Sequence, residues 1–358
     1  MLEVVLVINP GSTSTKVALF ADGQVLAEQK IDHSSTELSE FPGVILQKDF
    51  RRQAIQTFIS TKLEQPFIMK AVVGRGGLLK PIPGGTYVVN QDMLNDLETE
   101  KYNTHASNLG AILAADFAKQ YGVAAYIVDP VVTDELQPVA RISGLNGIER
   151  RSVGHILNQK AVARTVLAKH GKKYEESQVV VAHLGGGVSI GAHKLGRIID
   201  LSNGLDGEGP YTPERTGSLP LVSFAEKVVQ EKLTLPEIKR MLAGIGGLKS
   251  YLNEIDIRAI EQRIAAGEEN IKIYLDGMSY QINKEIAAMA AVLNGQVDLI
   301  ILTGGISYST YIVEAIEQGI GWIAPVEVLA GEMEMDALYQ GVVRVLSGTE
   351  QAKEYKSV

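Results

Sequence analysis

Arg75 stands between Gly74 and Gly76, and Arg215 stands in the turn-rich run Pro213-Glu-Arg-Thr-Gly217. A guanidinium in such a setting suits a bidentate clamp on phosphate or carboxylate, and the glycines beside Arg75 let a ligand come close. His183 comes just before three successive glycines, Gly185, Gly186 and Gly187, whose backbone can approach a phosphate chain with no Cβ in the way. Asp129 ends an apolar run just ahead of Pro130, where carboxylates of α/β proteins often face a ligand crevice. Each has a plainer alternative: a solvated arginine, a flexible hairpin tip, a structural histidine, a turn aspartate.

Residues 5–18 and 179–191 read as one unit used twice: an apolar strand, a small-residue turn and a second strand. Asn9 aligns with His183, and Gly11 with Gly185. In the first copy, Asn9, Ser12 and Ser14 suit a phosphoryl group or metal-bound water, with Lys16 adding positive charge; an ordinary β-turn with a solvated lysine is the alternative. The Walker spacing of a P-loop is absent. A third loop, Thr303-Gly304-Gly305, follows the apolar run 297–302 and opens a helix, a place for phosphate or adenosine. His155, just after Arg150-Arg151, is in reach of a phosphoryl group or else caps a helix. Glu332 and Glu334 follow the last strand and are metal candidates or first-turn helix acids.

These residues need two α/β frames to hold them. A hairpin at 2–8 and 15–20 is followed by a strand at 24–30, a helical region at 38–63 and a strand at 69–73. Ser107 reads as the cap of a helix at 108–120, which stops at Gly122 before a strand at 124–128. The second half repeats the order: a helix at 155–170, the strand from 179, a polar loop at 202–216 and shorter helices within 221–247 and 254–266. A long helix at 269–293 stops at Asn294-Gly295, and a last helix runs from 332 to 346 before polar, frayed residues. At 358 residues two domains are the prior: 1–160 and 161–331, with 332–358 a candidate to pack back on the first.

Composition closes off other classes. A formal charge of −8 argues against nucleic acid as a partner. With no cysteine there are no disulfides, thiolate nucleophiles or cysteine metal sites, which fits a reducing cytosol. No apolar run approaches the ~18 residues a membrane helix needs. Pro10-Gly11 comes too early for a signal-peptide core.

Taken together, Asn9-Pro-Gly-Ser-Thr-Ser-Thr-Lys16, Arg150-Arg151 with His155, His183-Leu-Gly-Gly-Gly187, Glu208-Gly-Pro with Pro213-Glu-Arg-Thr-Gly217, Gly246-Gly-Leu-Lys-Ser250 and Thr303-Gly-Gly-Ile-Ser307 resemble the acetate kinase and butyrate kinase family, in order over nearly the whole chain. Gly186 and Ala71-Val-Val-Gly-Arg-Gly-Gly77 are more similar to its butyrate kinases. The resemblance implies two similar actin-like ATPase domains with a nucleotide cleft between them. It implies transfer of a phosphoryl group from ATP, with Mg²⁺, to a short-chain carboxylate, butanoate first, with acetate, propionate or branched acids as alternatives. A nucleotide switch of the actin and chaperone type is the alternative from another class. By resemblance, Arg75 and Arg215 hold the carboxylate and γ-phosphoryl oxygens, and His155 and His183 donate to equatorial oxygens. Asn9 and Lys16 position the phosphoryl end, and Asp129 with Glu332 or Glu334 holds Mg²⁺. Gly185, Gly186, Gly187, Gly304 and Gly305 cradle ADP. A cytoplasmic homodimer or larger homo-oligomer, with no membrane or nucleic-acid partner, completes the expectation.

Overall fold

Short apolar runs that end at glycine or proline become the strands of two sheets. The computed structural model describes residues 1–357. Its chain divides into two compact units: unit 1 is Met1–Thr133 with the chain from Met333 onward, and unit 2 is Asp134–Glu332. The sequence reading set the division at residue 160. Residues from 134 onward instead pair with unit 2, where Gln137 N–H donates to Ile199 O at 2.9 Å and Lys160 meets Glu135 at 2.9 Å.

Unit 1 contains β1 (Leu2–Pro10), β2 (Ser14–Ala21), β3 (Gln24–Asp32), α1 (Ser35–Ser39), α2 (Lys48–Lys62), β4 (Phe67–Arg75), β5 (Thr86–Val88), α3 (Gln91–Glu98), α4 (Asn108–Tyr121) and β6 (Ala124–Val128). Unit 2 contains α5 (Ile156–Lys169), β7 (Gln178–Leu184), β8 (Val188–Lys194), β9 (Arg197–Leu201), α6 (Leu221–Glu231), α7 (Leu235–Leu242), α8 (Leu248–Leu252), α9 (Ile257–Ala265), α10 (Lys272–Val292), β10 (Leu299–Gly304), α11 (Thr310–Ile320) and β11 (Val326–Ala330). The chain then returns to unit 1 as α12 (Glu334–Leu346) and β12 (Lys353–Glu354).

The five strands of unit 2 run in the order β11-β10-β7-β8-β9, and five of unit 1 repeat it as β6-β4-β1-β2-β3, with β5 and β12 added at the edge. In each unit the first three strands are antiparallel; β4 and β10 pair parallel to the first strand of their unit, β6 and β11 pair parallel to them in turn, and β5 runs antiparallel to β6. Parallel strands need a long crossover, and helices α4 and α11 supply one in each unit. Both faces of such a sheet are covered, so Val4, Leu6 and Ile8 of β1 and Val180, Ala182 and Leu184 of β7 are fully buried. Each fully buried aliphatic side chain contributes roughly 1.5–3 kcal/mol.

The glycines around Arg75 answer to packing, a requirement beyond the ligand approach that the sequence suggested. A Cβ on Gly74 would lie 2.0 Å from Gly110 O, and one on Gly76 would lie 2.3 Å from the Pro130 ring. α4 therefore sits directly on β4, and the end of that strand, where Arg75 emerges, is held tightly. Three further expectations need correction. Ser107 stands at the N-cap of α4 as expected, but its side chain makes no capping bond: its hydroxyl bonds His105 Nδ1 at 2.8 Å, where a tight turn from His105 already opens the helix. The region 38–63 breaks into two helices, since Pro42-Gly43 interrupts it. Residues 353–357 are anchored instead of frayed, Val358 lying outside the described residues: β12 pairs with β5, and buried Tyr355 donates to Asp96 at 2.8 Å.

Candidate active site

Asn9 on β1 lies opposite Lys16 on β2, one pair below the last rung, Pro10 opposite Thr15. Both residues thus belong to the ladder, and the loop is only residues 11–14, closed by Gly11 N–H donating to Ser14 O at 2.8 Å. Arg51, from the first turn of α2, fastens this loop. Its fully buried guanidinium donates to Gly11 O at 2.9 Å, Ser14 O at 3.0 Å and Ser12 O at 3.2 Å. Gln47 and Thr15 take its remaining hydrogen bonds, and burial pushes its pKa down to about 10. Ser12 is exposed at the tip and Ser14 is half-buried.

Glu334, the first residue of α12, gathers the polar groups of unit 1. Asn9 Nδ2 donates to its Oε2 at 2.7 Å, and Arg75 Nη1 donates to its Oε1 at 2.8 Å. Burial would raise the Glu334 pKa, but Arg75, Asn9 and Lys16 outweigh it and hold the carboxyl below the ordinary range. An acid in a helix's first turn is also favoured by the helix dipole. Asp129 sits at the end of β6 in a left-handed conformation, φ 37°, and is nearly fully buried. Its Oδ1 accepts the Gly85 N–H at 2.7 Å, and its own N–H donates to Gly85 O at 3.0 Å.

In unit 2 His183 lies opposite Ser189, again one pair below the last rung, Leu184 opposite Val188. The ring of His155 stacks on that of His183, with centroids 3.7 Å apart and planes 9° from parallel. His155 precedes α5 but does not cap it with its side chain; its Nδ1 meets Ser189 Oγ at 2.9 Å. Asn158 Nδ2 lies 2.9 Å from His183 Nδ1 and 3.3 Å from Thr303 Oγ1, whose hydroxyl donates to Gly331 O at 3.1 Å. Having given its one proton to Gly331, Thr303 accepts from Asn158, so the Asn158 amide nitrogen is the donor to His183 Nδ1 as well. The His183 proton therefore sits on Nε2, which lies 3.8 Å from Glu332 Oε1. Burial, and then the neighbouring His155 ring, hold the His183 pKa well below its ordinary value.

Arg215 Nη1 donates to Gly204 O at 3.1 Å, and its guanidinium packs on the second loop. A Cβ on Gly187 would lie 2.3 Å from that nitrogen, so this glycine makes room for the arginine. Burial lowers the Arg215 pKa despite Glu214 beside it. Gly304, at φ +88°, must be glycine because a Cβ would lie 2.3 Å from Leu184 O. Gly185, Gly186 and Gly305 line a cavity of about 460 Å³, together with Glu214, Asp256 and Tyr308. Nothing lies within 4 Å of where a Gly305 Cβ would be. The structure thus collects Asn9, Lys16, Arg75 and Glu334 in unit 1, and His155, His183 and Glu332 in unit 2.

The acetokinase family model matches residues 146–324. The chain is 60% identical over 354 residues to a protein of Enterococcus faecalis named "Probable butyrate kinase", covering 99% of this chain and 98% of that one. It is 46% identical over 351 residues to "Butyrate kinase 1" of Clostridium acetobutylicum, covering 98% of this chain and 99% of that one. The chain belongs to the acetokinase family. It is an ATP-dependent kinase that phosphorylates a carboxylate. The crystal structure of Porphyromonas gingivalis acetate kinase superposes with a TM-score of 0.78 at 18% identity, covering 95% of this chain and 99% of that one. The fold is therefore the actin-like ATPase fold, and the repeated strand order of the two units is its signature.

Several residues of this candidate site carry little signal in the sequence. Arg51 lies on the same stripe of α2 as Ile55 and Ile59, and a lone arginine on an apolar helical face was a legible signal. Asn158 and Ser189 carried none: an amide on a helix and a hydroxyl on a strand are ordinary until the fold sets them against the imidazoles.

Proposed function

We propose that the acid phosphorylated is butanoate: butanoate + ATP ⇌ butanoyl phosphate + ADP. The observation that carries this choice is full-length identity of 60% and 46% to proteins named as butyrate kinases. A carboxylate oxygen attacks the γ-phosphorus, and the bond from phosphorus to the ADP oxygen breaks. An aliphatic carboxylic acid has a pKa near that of glutamate, about 4.3, so the nucleophile is already ionised at neutral pH and no base is needed. What remains is to align two anions and to neutralise charge on the moving phosphoryl group.

The residues fit that task. In unit 1, Arg75 is aimed by Glu334 and serves as carboxylate clamp, with Asn9 and Lys16 beside it at the phosphoryl end. In unit 2, Arg215 and the two stacked imidazoles supply cationic and N–H donors for the phosphoryl oxygens, and the cavity beside Gly185, Gly186 and Gly305 takes the nucleotide. Ser12 and Ser14 serve the phosphoryl end from the Arg51-fastened loop.

The oxygens present also fit Mg²⁺. It prefers few protein carboxylates alongside phosphate oxygens and water. Asp129 and Glu334 would hold it, each already hydrogen-bonded and so acting through water. Glu334 is preferred to Glu332 because it shares unit 1 with Asp129, while Glu332 keeps company with His183. When bound, Mg²⁺ neutralises phosphate charge.

The same reading makes the enzyme a cytoplasmic homo-oligomer. Among the described residues no helix is long and apolar enough to cross a membrane. Leu221, Val222, Val229 and Leu235 are each more than 60% exposed on α6 and α7, a face suited to a second copy. Light scattering coupled to gel filtration tests this.

The deciding assay supplies ATP, Mg²⁺ and hydroxylamine, which traps acyl phosphates as hydroxamates, across acetate, propionate, butanoate and isobutanoate. A maximum at butanoate is expected. One methylene changes discrimination by only about 1–3 kcal/mol, so a maximum at acetate, propionate or isobutanoate would replace butanoate without touching the chemistry. ATP turnover with no hydroxamate from any acid would sink the carboxylate reading.

A further inference from the structure

Behind the stacked imidazoles of unit 2 runs a buried polar chain that the phosphoryl transfer above does not use. Tyr174 Oη lies 2.9 Å from His193 Nδ1, and His193 Nε2 lies 2.9 Å from Gln159 Oε1. Gln159 Nε2 lies 3.0 Å from Ser189 O and 2.9 Å from Ser189 Oγ. Ser189 Oγ lies 2.9 Å from His155 Nδ1 and 3.2 Å from the His155 N–H. All of Tyr174, His193, Gln159 and Ser189 are at most 2% exposed.

The proton positions follow from one fixed point. Ser189 O is a carbonyl and only accepts, so the Gln159 amide must turn its nitrogen to Ser189 and its oxygen to His193. His193 must then carry its proton on Nε2, and Nδ1 accepts from the Tyr174 hydroxyl. Ser189 Oγ already receives two donors, Gln159 Nε2 and the His155 N–H, so its own proton goes to His155 Nδ1. An Nδ1 that accepts leaves the His155 proton on Nε2. Asn158 imposes the same tautomer on His183 from another direction. Two glycines make room for the chain. A Cβ on Gly191 would lie 2.7 Å from Gln159 Oε1, and one on Gly154 would lie 3.2 Å from Ser189 Oγ.

We propose that Ser189 and Gln159, the latter held in sense by His193 and Tyr174, are positioning residues that lock His155 as its Nε2–H tautomer. A ring so locked offers a donor N–H in a fixed direction without having to take up a proton first. The use made of that donor rests on the kinase reading above; the lock itself does not.

The test is spectroscopic. The full chain has six histidines, so two-bond ¹H–¹⁵N spectra of histidine-labelled protein can be assigned by losing the His155 signals in a His155→Gln variant. The wild type is expected to show His155 protonated at Nε2. Gln159→Glu replaces the donor facing Ser189 with an acceptor. Ser189 then turns its proton to the carboxylate and His155 must donate from Nδ1. The His155 signals should move to the Nδ1–H pattern, kcat should fall about ten- to a hundredfold, as loss of an orienting partner does elsewhere, and KM for ATP should stay within about twofold. Ser189→Ala gives a second route should the buried glutamate prevent folding: mixed tautomers and a smaller loss of kcat are expected. Nδ1–H in the wild type, or an unchanged tautomer in both variants, would overturn the lock. Nε2–H in a wild type that makes no acyl phosphate would leave the lock standing and remove the kinase reading.

Discussion

The two hairpin loops have the same path, and the residues on their equivalent rungs are held by different chemistry. In unit 1 the loop is tied by a buried cation, Arg51, and the residues beside it are joined through an ion pair, Arg75 with Glu334. In unit 2 the equivalent rung carries an imidazole, and neutral groups fix the ring pair: Asn158, itself bonded to Thr303, on His183, and Ser189, itself bonded to Gln159, on its stacked partner His155. A repeated backbone therefore does not imply a repeated chemistry. Ionic groups tolerate a neighbouring anion and set direction by charge; neutral groups set direction by who holds the proton.

Substitutions can break this contrast. The largest effect is expected from Arg215→Ala, whose guanidinium packs on the second loop. Cationic stabilisation of a moving phosphoryl group is worth about 10³-fold or more, so kcat should drop by that order while the melting temperature stays near that of the wild type. Near-normal turnover would show that unit 2 works with its neutral donors alone.

Next comes Arg51→Met, which keeps the bulk of the stem and removes the charge. Carbonyls of Gly11, Ser12 and Ser14 lose their partner, at a cost of about 3 kcal/mol in denaturant unfolding. A loss under about 1 kcal/mol would mean that the first loop holds itself. Gly304→Ala should cost at least about 2 kcal/mol through its positive φ and its contact with Leu184 O. Its neighbour should behave oppositely: Gly305→Ala is expected to leave stability within about 0.5 kcal/mol and to raise KM for ATP, since its surroundings are open. Equal effects at the two glycines would erase the distinction between a backbone requirement and a ligand approach.

The smallest effect separates the two loops by pH. The Glu334 carboxyl is held below its ordinary range, so its stabilisation is fully present above the unfolded value near 4.3 and is lost as pH falls through the depressed folded value. Thermal melts of the wild type between pH 6 and pH 3 should therefore lose more stability than those of Glu334→Gln. Parallel curves would detach Glu334 from the ionic cluster.

Much of the site could be read from residue order. Asn9 and His183 were matched by the repeated strand–turn–strand pattern, and they stand on equivalent rungs because period-two pairing carries a repeated pattern into a repeated register. The glycines beside Arg75 serve packing: Gly74 the contact between α4 and β4, and Gly76 the contact with Pro130. Gly187, which the sequence offers as room for phosphate, also makes room for Arg215. A sequence shows that a side chain is missing but not which atom fills the space.

The sequence by itself determined the two α/β units, the strand-ending loops and the cast of arginines, imidazoles and carboxylates, because apolar periodicity and turn residues act over a few neighbouring positions. It left Glu332 and Glu334 equivalent, two residues apart on the same stretch. Only the tertiary structure divided them, giving Glu334 to Asn9 and Arg75 and leaving Glu332 beside His183. It alone decided which ring nitrogens carry protons, since a tautomer is set by partners more than twenty residues away along the chain, and no local pattern encodes which acceptor will face them.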